Sequence, residues 1–537
     1  MSFDEIKNLT KGFVKGWKKG KLKEKLVETA EVLLGEKIKV SQLEEKIRQM
    51  DDEIKRLKGE KGKPKIKPAS TNKELNPGPK KPHNKKQKNK NIEVDETVEL
   101  DVDKSELPKD AKKIGQREII IQEMVIKRRN IKFIIKRYWS DELGRVIEKE
   151  IPTEFKGSQF GPQLRSFLIY QYYKCRTPQD KILQMIGDWN IEMSAGTLCS
   201  LLNNPIEGLQ DDLSSARNAG IKRQNGVYID DTGARIKGAN GYTFGVCNDY
   251  FTQYTTGLEK NRWAAVGSLL GGVQSFLIDK EALDFVASKL KRAIVTRKLS
   301  SLKGKSFKRE ELEEKFKEVF DFDIRKDELD TVRTACAISA LRANQNGPPI
   351  RFLTSDDGTN FNDLIKNHQL CWVHEIRKYK KLSIYHELQK DLLDNVIKKW
   401  QGLYKKMKRF KLHPTSDKIK IIRSEFNQII LSKTGLSDID ELLQRTKNNQ
   451  KKLLLFLRYP KLPLHSNMVE RDLRERVIKR KISLQNRSWE GVRAWDLMLS
   501  LSSTCRKLDL SFWRYLEDRI SKRESIPYLG KLVLSLP

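Results

Sequence analysis

Val227-Tyr228-Ile229-Asp230-Asp231-Thr232-Gly233 reads as a short buried strand that ends in acid. A second strand of the same kind, Ile350-Arg351-Phe352-Leu353-Thr354-Ser355-Asp356-Asp357-Gly358, also stops at Asp. Between them, 241–249 (GYTFGVCND) and 251–257 (FTQYTTG) look like two more strands joined at a turn, and helical stretches follow. From Gly226 onward the expected class is therefore α/β. A buried strand that stops in a carboxylate costs desolvation energy unless the charge is paired or bound to metal. Acids at adjacent strand ends converge on one edge of an α/β sheet, where ligands sit. Oxygen-only ligands suit Mg²⁺ or Mn²⁺ and not zinc. Two such ions activate a water or hydroxyl and stabilise the leaving oxygen in phosphodiester chemistry. With two acids alone, Asp230 and Asp356 as caps of the loops after their strands would be the better explanation.

The third acid comes from 461–483, KLPLHSNMVERDLRERVIKRKIS, where Ser466 is a good helix N-cap. Glu470 then falls in the first turns of the helix, with Arg471, Arg474 and Arg476 close by. Alone, a Glu in so charged a helix is a surface residue. Against the sheet edge it completes a carboxylate triad among cations able to hold phosphates.

Charge agrees with a phosphate-bearing partner. Among 537 residues, 106 Lys and Arg oppose 72 Asp and Glu, for a net charge of +34. Counterion release from nucleic acid needs many accessible cations, although a lysine-rich coding bias would also raise the count. No apolar run approaches the ~18 residues of a membrane span, and the N-terminal MSFDEIKNLTKGF lacks the apolar core of a signal peptide. The six cysteines (175, 199, 247, 336, 371 and 505) form no C-x-x-C pair, as expected of a reducing cytoplasm.

Six segments are expected. Residues 1–58 are helical. Val40, Ile47 and Ile54 stand at heptad position a, with Leu43, Met50 and Leu57 at d, which suits a coiled-coil homodimer or an amphipathic helix packed on its own protein. Residues 59–113 are a basic, Pro- and Lys-rich linker. Residues 114–158 alternate like a small antiparallel β unit with a turn at 141–144. Residues 159–222 hold helices near 163–174, 178–188 and 194–202, either helix-turn-helix or an ordinary bundle. The α/β domain spans 223–500, with helical insertions at about 279–346 and 376–458, and 501–537 form a helical tail.

Four segments carry a resemblance to the insertion sequence 66 family of bacterial DDE transposases. VYIDDTGARIKG (227–238) resembles its VDETG-x-R segment, FLTSDDGTNF (352–361) its SDG-Y, HQLCWVHEIRKY (368–379) its CWAH-x-RR, and LPLHSNMVERDLR (462–474) its LPLDNN-x-AER-x-LR. LQNRSW (484–489) is a looser echo of LGRKNW, and the likeness runs from about Gln159 to Leu516. The resemblance implies an RNase H-like fold with Asp230, Asp356 and Glu470 as catalytic and metal-ligating triad for two Mg²⁺ or Mn²⁺ ions. It also implies strand cleavage by water, then attack of the freed 3′-OH on target DNA. Double-stranded DNA would be the partner, with Arg471, Arg480 and Lys481 on backbone phosphates. A homodimer or higher oligomer, accessory proteins encoded by the element and a bacterial cytoplasmic, nucleoid-associated setting would follow.

The chain departs from the family pattern in three places. Asp231 replaces a Glu, so two adjacent acids compete for one role; strand alternation turns only one inward, and motif register favours Asp230. His465-Ser466 replaces the acidic-Asn part of the last motif. The segment before the helix-turn-helix, where family members often carry a zinc-binding cysteine set, has no cysteine here, so no zinc is expected. Cys371 and His374 form C-x-x-H, two ligands short of a zinc site. The resemblance implies that His374 positions a scissile phosphate, whereas a packed pair at a helix start is the plain alternative. Val94-Asp95-Glu96-Thr97 is a literal VDET in the linker, without strand or glycine, and reads as a decoy. Trp372, Trp489 and Trp495 suit core packing better than base stacking. The rival functions are an inactive transposon-derived DNA-binding protein, an RNase H-like structure-specific nuclease such as a junction resolvase, and a coiled-coil scaffold that binds no nucleic acid.

Overall fold

A computed structural model describes residues 94–100, 118–204, 206–272, 275–320, 324–343, 347–382 and 387–537. The expected helical segment 1–58 with its heptads at 40–57, and all of the basic linker except 94–100, lie outside these residues. The chain divides into two units, Met1–Glu123 and Met124–Pro537. In the first, 94–100 and 118–123 are exposed and belong to no helix or strand.

In the second unit the expected β region is smaller than its alternation suggests. Residues 124–136 form no strand, and only β1 (Arg137–Ser140) and β2 (Arg145–Glu148) pair, with Tyr138 opposite Ile147. Alternating apolar residues make a strand only where a partner edge and a face to bury are available. Here Val125 and Ile134 remain 87% and 80% exposed. Four helices follow: α1 (Pro162–Tyr173), α2 (Gln179–Asp188), α3 (Ala195–Asn203) and α4 (Leu209–Gln224). Ser194 accepts the Thr197 N–H at 3.1 Å, so the predicted cap is made. Asn225, at φ +54°, ends α4 and turns the chain into the sheet.

That sheet is built from β3 (Gly226–Ile236), β4 (Ala239–Cys247) and β5 (Thr252–Gly257), then β8 (Phe352–Ser355) and β9 (Asn367–Leu370). The spatial order is β5-β4-β3-β8-β9; the first three are antiparallel, while β3, β8 and β9 run parallel. Between β5 and β8 lie α5 (Arg262–Leu269), β6 (Ser275–Leu277), α6 (Lys280–Lys289), α7 (Ala293–Ser300), β7 (Ser306–Lys308), α8 (Arg309–Val319) and α9 (Lys326–Ala343), with β6 paired to β7. β3 and β4 meet at a two-residue turn in which Lys237 (φ +48°) and Gly238 (φ +81°) are both left-handed, matching the twist of a tight hairpin.

The sheet is covered on both faces. Val227, Ile229, Phe244 and Val246 join a core with α5 and the helices of 278–343. Tyr228, Cys247 and Tyr254 face a second core with Leu168, Val469, Leu473 and Trp495. A third core centres on Trp372, Trp400 and Phe426. It joins α10 (Trp372–Lys380), α11 (Glu387–Leu412), α12 (Ser416–Ile430), α13 (Ser437–Asn448) and α14 (Gln450–Leu453), the region expected as a helical insertion. α15 (Asn467–Ser483), α16 (Trp489–Lys507), α17 (Phe512–Ile520) and α18 (Leu529–Ser535) complete the chain. No helix among the described residues is long and apolar enough to cross a membrane.

Candidate active site

β3 runs past its acids to Ile236, so Asp230 and Asp231 stand mid-strand, not at its end as the sequence suggested. Pairing with β8 nevertheless covers only Gly226–Tyr228. Asp230 thus emerges just where its parallel neighbour stops, and Asp356 follows the last residue of that neighbour.

The two adjacent acids of β3 face opposite ways, as alternation requires. Across the ladder Asp230 pairs with Gly245 and Asp231 with Phe244. Phe244 is buried in the core shared with the helices of 278–343. On the Gly245 side lies α15: a Cβ at Gly245 would meet Leu473 at 3.1 Å and Val469 at 3.3 Å. The missing side chain lets this helix settle on the sheet. Its seat is reinforced where Tyr254 donates from its hydroxyl to the Asp472 carbonyl at 2.7 Å, and where buried Arg476 pairs with Asp496 at 2.9 Å. Arg476, read from sequence as a phosphate contact, is thus a packing residue. Glu470 sits in the first turn of this anchored helix.

Burial, reinforced by the Asp356 carboxylate, pushes the Asp230 carboxyl up to about 7. Its Oδ1 accepts the Asp231 N–H at 2.8 Å. Asp231, by contrast, has cationic company: Lys260 Nζ lies 2.7 Å away, and Asn360 donates to it at 3.4 Å. Asp356 accepts the Gly358 N–H at 3.0 Å. A Cβ at Gly358 would come within 3.0 Å of that same carboxylate oxygen, so the glycine of the motif keeps the loop tight. Asp357 turns to Lys378 at 2.8 Å and Arg445 at 2.9 Å. Burial raises its carboxyl, but these cations outweigh it and hold the group below the usual range.

Glu470 lies beside His374, whose Nε2 is 3.6 Å from Glu470 Oε1, and the imidazole in turn feels the charge of Asp356. The segments carrying these two residues are tied together, since the Ser466 N–H donates to Cys371 Sγ at 3.3 Å. The adjoining Cys371 thiol is the largest influence raising the His374 imidazole, working against burial, and Glu470 and Asp356 add to it. Glu470 Oε1 is buried and has no hydrogen-bond partner among the described residues. Ser466 stands at the N-cap position, yet its hydroxyl is buried without a partner and makes no cap bond. Among the described residues no three His, Cys, Asp or Glu side chains are gathered tightly enough to hold one ion together. Asp230, Asp356, His374 and Glu470 are coupled by charge and by the 3.6 Å contact, not assembled as a closed cage.

Of the predicted phosphate contacts, Arg471 and Lys481 are exposed on α15, as is Arg474, while Arg480 donates to the Gly233 carbonyl. Trp372 and Trp495 are core residues, and Trp372 donates to the Leu453 carbonyl at 2.8 Å. The VDET at 94–97 is exposed and outside any strand. All six cysteines are free. Sequence reasoning missed Lys260, which lies outside every motif, and Gly245, whose only signal was a glycine inside a strand.

The sequence pattern described as Transposase IS66 family matches residues 157–277 and 330–494, more than half of the chain. The chain belongs to that family. The matched segments of this IS66-family protein contain Asp230, Asp356 and Glu470, and leave 278–329 unmatched. It is also 31% identical over 309 residues to an uncharacterized protein, y4jO, of Sinorhizobium fredii (strain NBRC 101917 / NGR234), covering 56% of this chain and 94% of that protein.

Proposed function

We propose that this protein is a DDE transposase that cleaves DNA at the ends of its element and transfers the freed 3′ end to target DNA. In this reading the sheet and its helices are an RNase H-like domain, and Asp230, Asp356 and Glu470 are the triad. The observation that carries it is Asp230: a half-buried carboxyl, raised to about 7 by partial burial and by a second acid, on the face that also carries Glu470. A structural acid with so little compensation is costly, and uncompensated negative charge in a site is what a divalent cation relieves.

The donor set fits Mg²⁺ or Mn²⁺: carboxylates, with one buried oxygen of Glu470 lacking a partner. When bound, two such ions supply an activated water or hydroxyl and stabilise the leaving oxygen. Asp230, Asp356 and Glu470 would share the ligation of the two ions between them. His374, raised towards its charged form, donates to a non-bridging oxygen of the scissile phosphate. Arg471, Arg474 and Lys481 hold backbone phosphates along the exposed face of α15. Asp231, paired with Lys260, keeps its neighbour's register without ligating. Dimerisation through 21–58 and help from element-encoded proteins belong to the same proposal.

The test is Mg²⁺-dependent cleavage and joining of DNA that carries the element's ends. Cleavage and joining by the native chain, both abolished by Asp230→Asn, support the proposal. Full activity in that variant refutes it. Cutting of branched DNA without joining would assign the site to a nuclease instead.

A further inference from the structure

Away from the carboxylates the molecule has a second concavity, a cleft of about 820 Å³ around the start of β8. Arg351 and Phe352 line it, whereas Asp356 follows the far end of that strand. At about 3.3 Å per residue Arg351 and Asp356 are roughly 16 Å apart along the strand. One wall is α6, with Phe285 and Lys289, and α6 belongs to the stretch 278–329 that the family pattern does not match.

The lining combines two chemistries. Phe352 packs edge-on against Tyr459, with ring centroids 4.9 Å apart, and Arg458 lies 5.3 Å over the Tyr459 ring. Phe285 lies under Lys289, 5.7 Å from its ammonium. The charges do not cancel: five cations and two acids line the cleft. Glu281 is taken by Arg342, and Asp363 lies 3.7 Å from Lys289. Arg351 and Lys366 are exposed and form no ion pair among the described residues. Aromatic walls beside unneutralised cations are the combination that binds a base by its face and a phosphate by its charge. An acidic peptide would not use the rings, and a lipid surface needs a convex, apolar face.

We infer that this cleft is a second, non-catalytic site for nucleoside phosphates, with a base against Phe285, Phe352 and Tyr459 and a phosphate on Arg351 and Lys366. A DNA strand and a free nucleotide share this chemistry, so the experiment separates them. The full-length chain in EDTA is irradiated with a twelve-nucleotide thymidine strand bearing 5-iodouracil, and cross-linked peptides are sequenced. The result expected is cross-linking at peptides carrying Phe285, Phe352 or Tyr459, reduced about tenfold in Arg351→Glu/Lys366→Glu, since each lost phosphate contact weakens binding severalfold. Binding of the strand by anisotropy should also lose about 1.4 from its log–log salt slope in that variant. Competition by unlabelled strand but not by millimolar dTMP or ATP assigns the site to a DNA strand; competition by the mononucleotides as well as by the strand assigns it to a free nucleotide. Cross-links confined to other peptides, with the salt slope unchanged, overturn the inference. Because EDTA removes metal-dependent chemistry, and Asp230→Asn is run alongside, this result stands or falls apart from the carboxylate proposal.

Discussion

Asp230 and Gly245 face each other across the β3–β4 ladder, and the hydrogen that serves as the Gly245 side chain leaves the space into which Leu473 and Val469 pack. One glycine thus decides how close α15, and with it Glu470, comes to the acid on the neighbouring strand. Gly245→Val should push that helix outward. Overpacking of this kind costs about 1–3 kcal/mol. The expected result is a melting temperature lowered by a few degrees, with cleavage falling much further than DNA binding; unchanged cleavage would show that the seat of the helix does not matter.

Asp230 and Asp231 should separate cleanly. Asp230→Asn is expected to abolish cleavage while end-DNA affinity stays within about twofold, because only ligation is lost. Asp231→Asn removes the partner of Lys260 and should leave most activity. Equal loss in both variants, measured side by side, would contradict the opposed orientation of the pair.

The raised Asp230 carboxyl also has a pH signature. With the folded value near 7 and the unfolded value near 3.8, the folded state binds the extra proton. Its contribution is fully present below pH 3.8 and is lost as pH rises through 7. In metal-free buffer, Asp230→Asn should therefore melt higher than the native chain at pH 8, and the gap should close as pH falls towards 4. Mg²⁺ should raise the native melting temperature and not that of the variant. Cleavage at limiting Mg²⁺ should climb between pH 6 and 8.

Asp357 predicts the opposite trend. Lys378 and Arg445 hold its carboxyl low, so its contribution is present above pH 3.8 and disappears as pH falls through the folded value. Asp357→Asn should cost about 1 kcal/mol at pH 7, discounted for the exposure of Arg445, while Mg²⁺-dependent cleavage persists. Thermal melts from pH 7 down to 3 would reveal the effect fading.

His374 reports on Glu470. The carboxylate at 3.6 Å is one of the groups raising the imidazole. Glu470→Gln should shift the His374 titration downward, which NMR can follow among only six histidines. A titration that stays put would mean the two side chains do not interact in solution.

The parts of this protein visible in its sequence were those whose chemistry is local. The run Val227–Gly233 announced a strand, Ser194 a cap, and 461–483 a charged helix, because each signal lies within a few residues. The extension of β3 to Ile236 was not visible: its outer half is held by β4 through a turn, and the acids there look like a strand end. β9 (Asn367–Leu370) was hidden for the same reason, since His368 and Gln369 are buried polar residues that no apolar pattern marks. The alternation in 118–136 misled because periodicity says nothing about whether a partner edge exists. Within the candidate site, sequence named the acids; which of Asp230 and Asp231 shares a face with α15 is a fact of register, legible only once the hairpin is closed.

That hairpin is closed by Lys237 and Gly238, two residues with left-handed backbones. Adding or deleting one residue there would slide β3 by a step against β4 and turn each of its side chains over. Asp231 would then stand beneath the helix and Asp230 beside Lys260, without any change in composition. The length of this loop therefore encodes an acid's identity as firmly as the codon for the acid does, and a family member with a longer or shorter turn should carry its working carboxylate one place along.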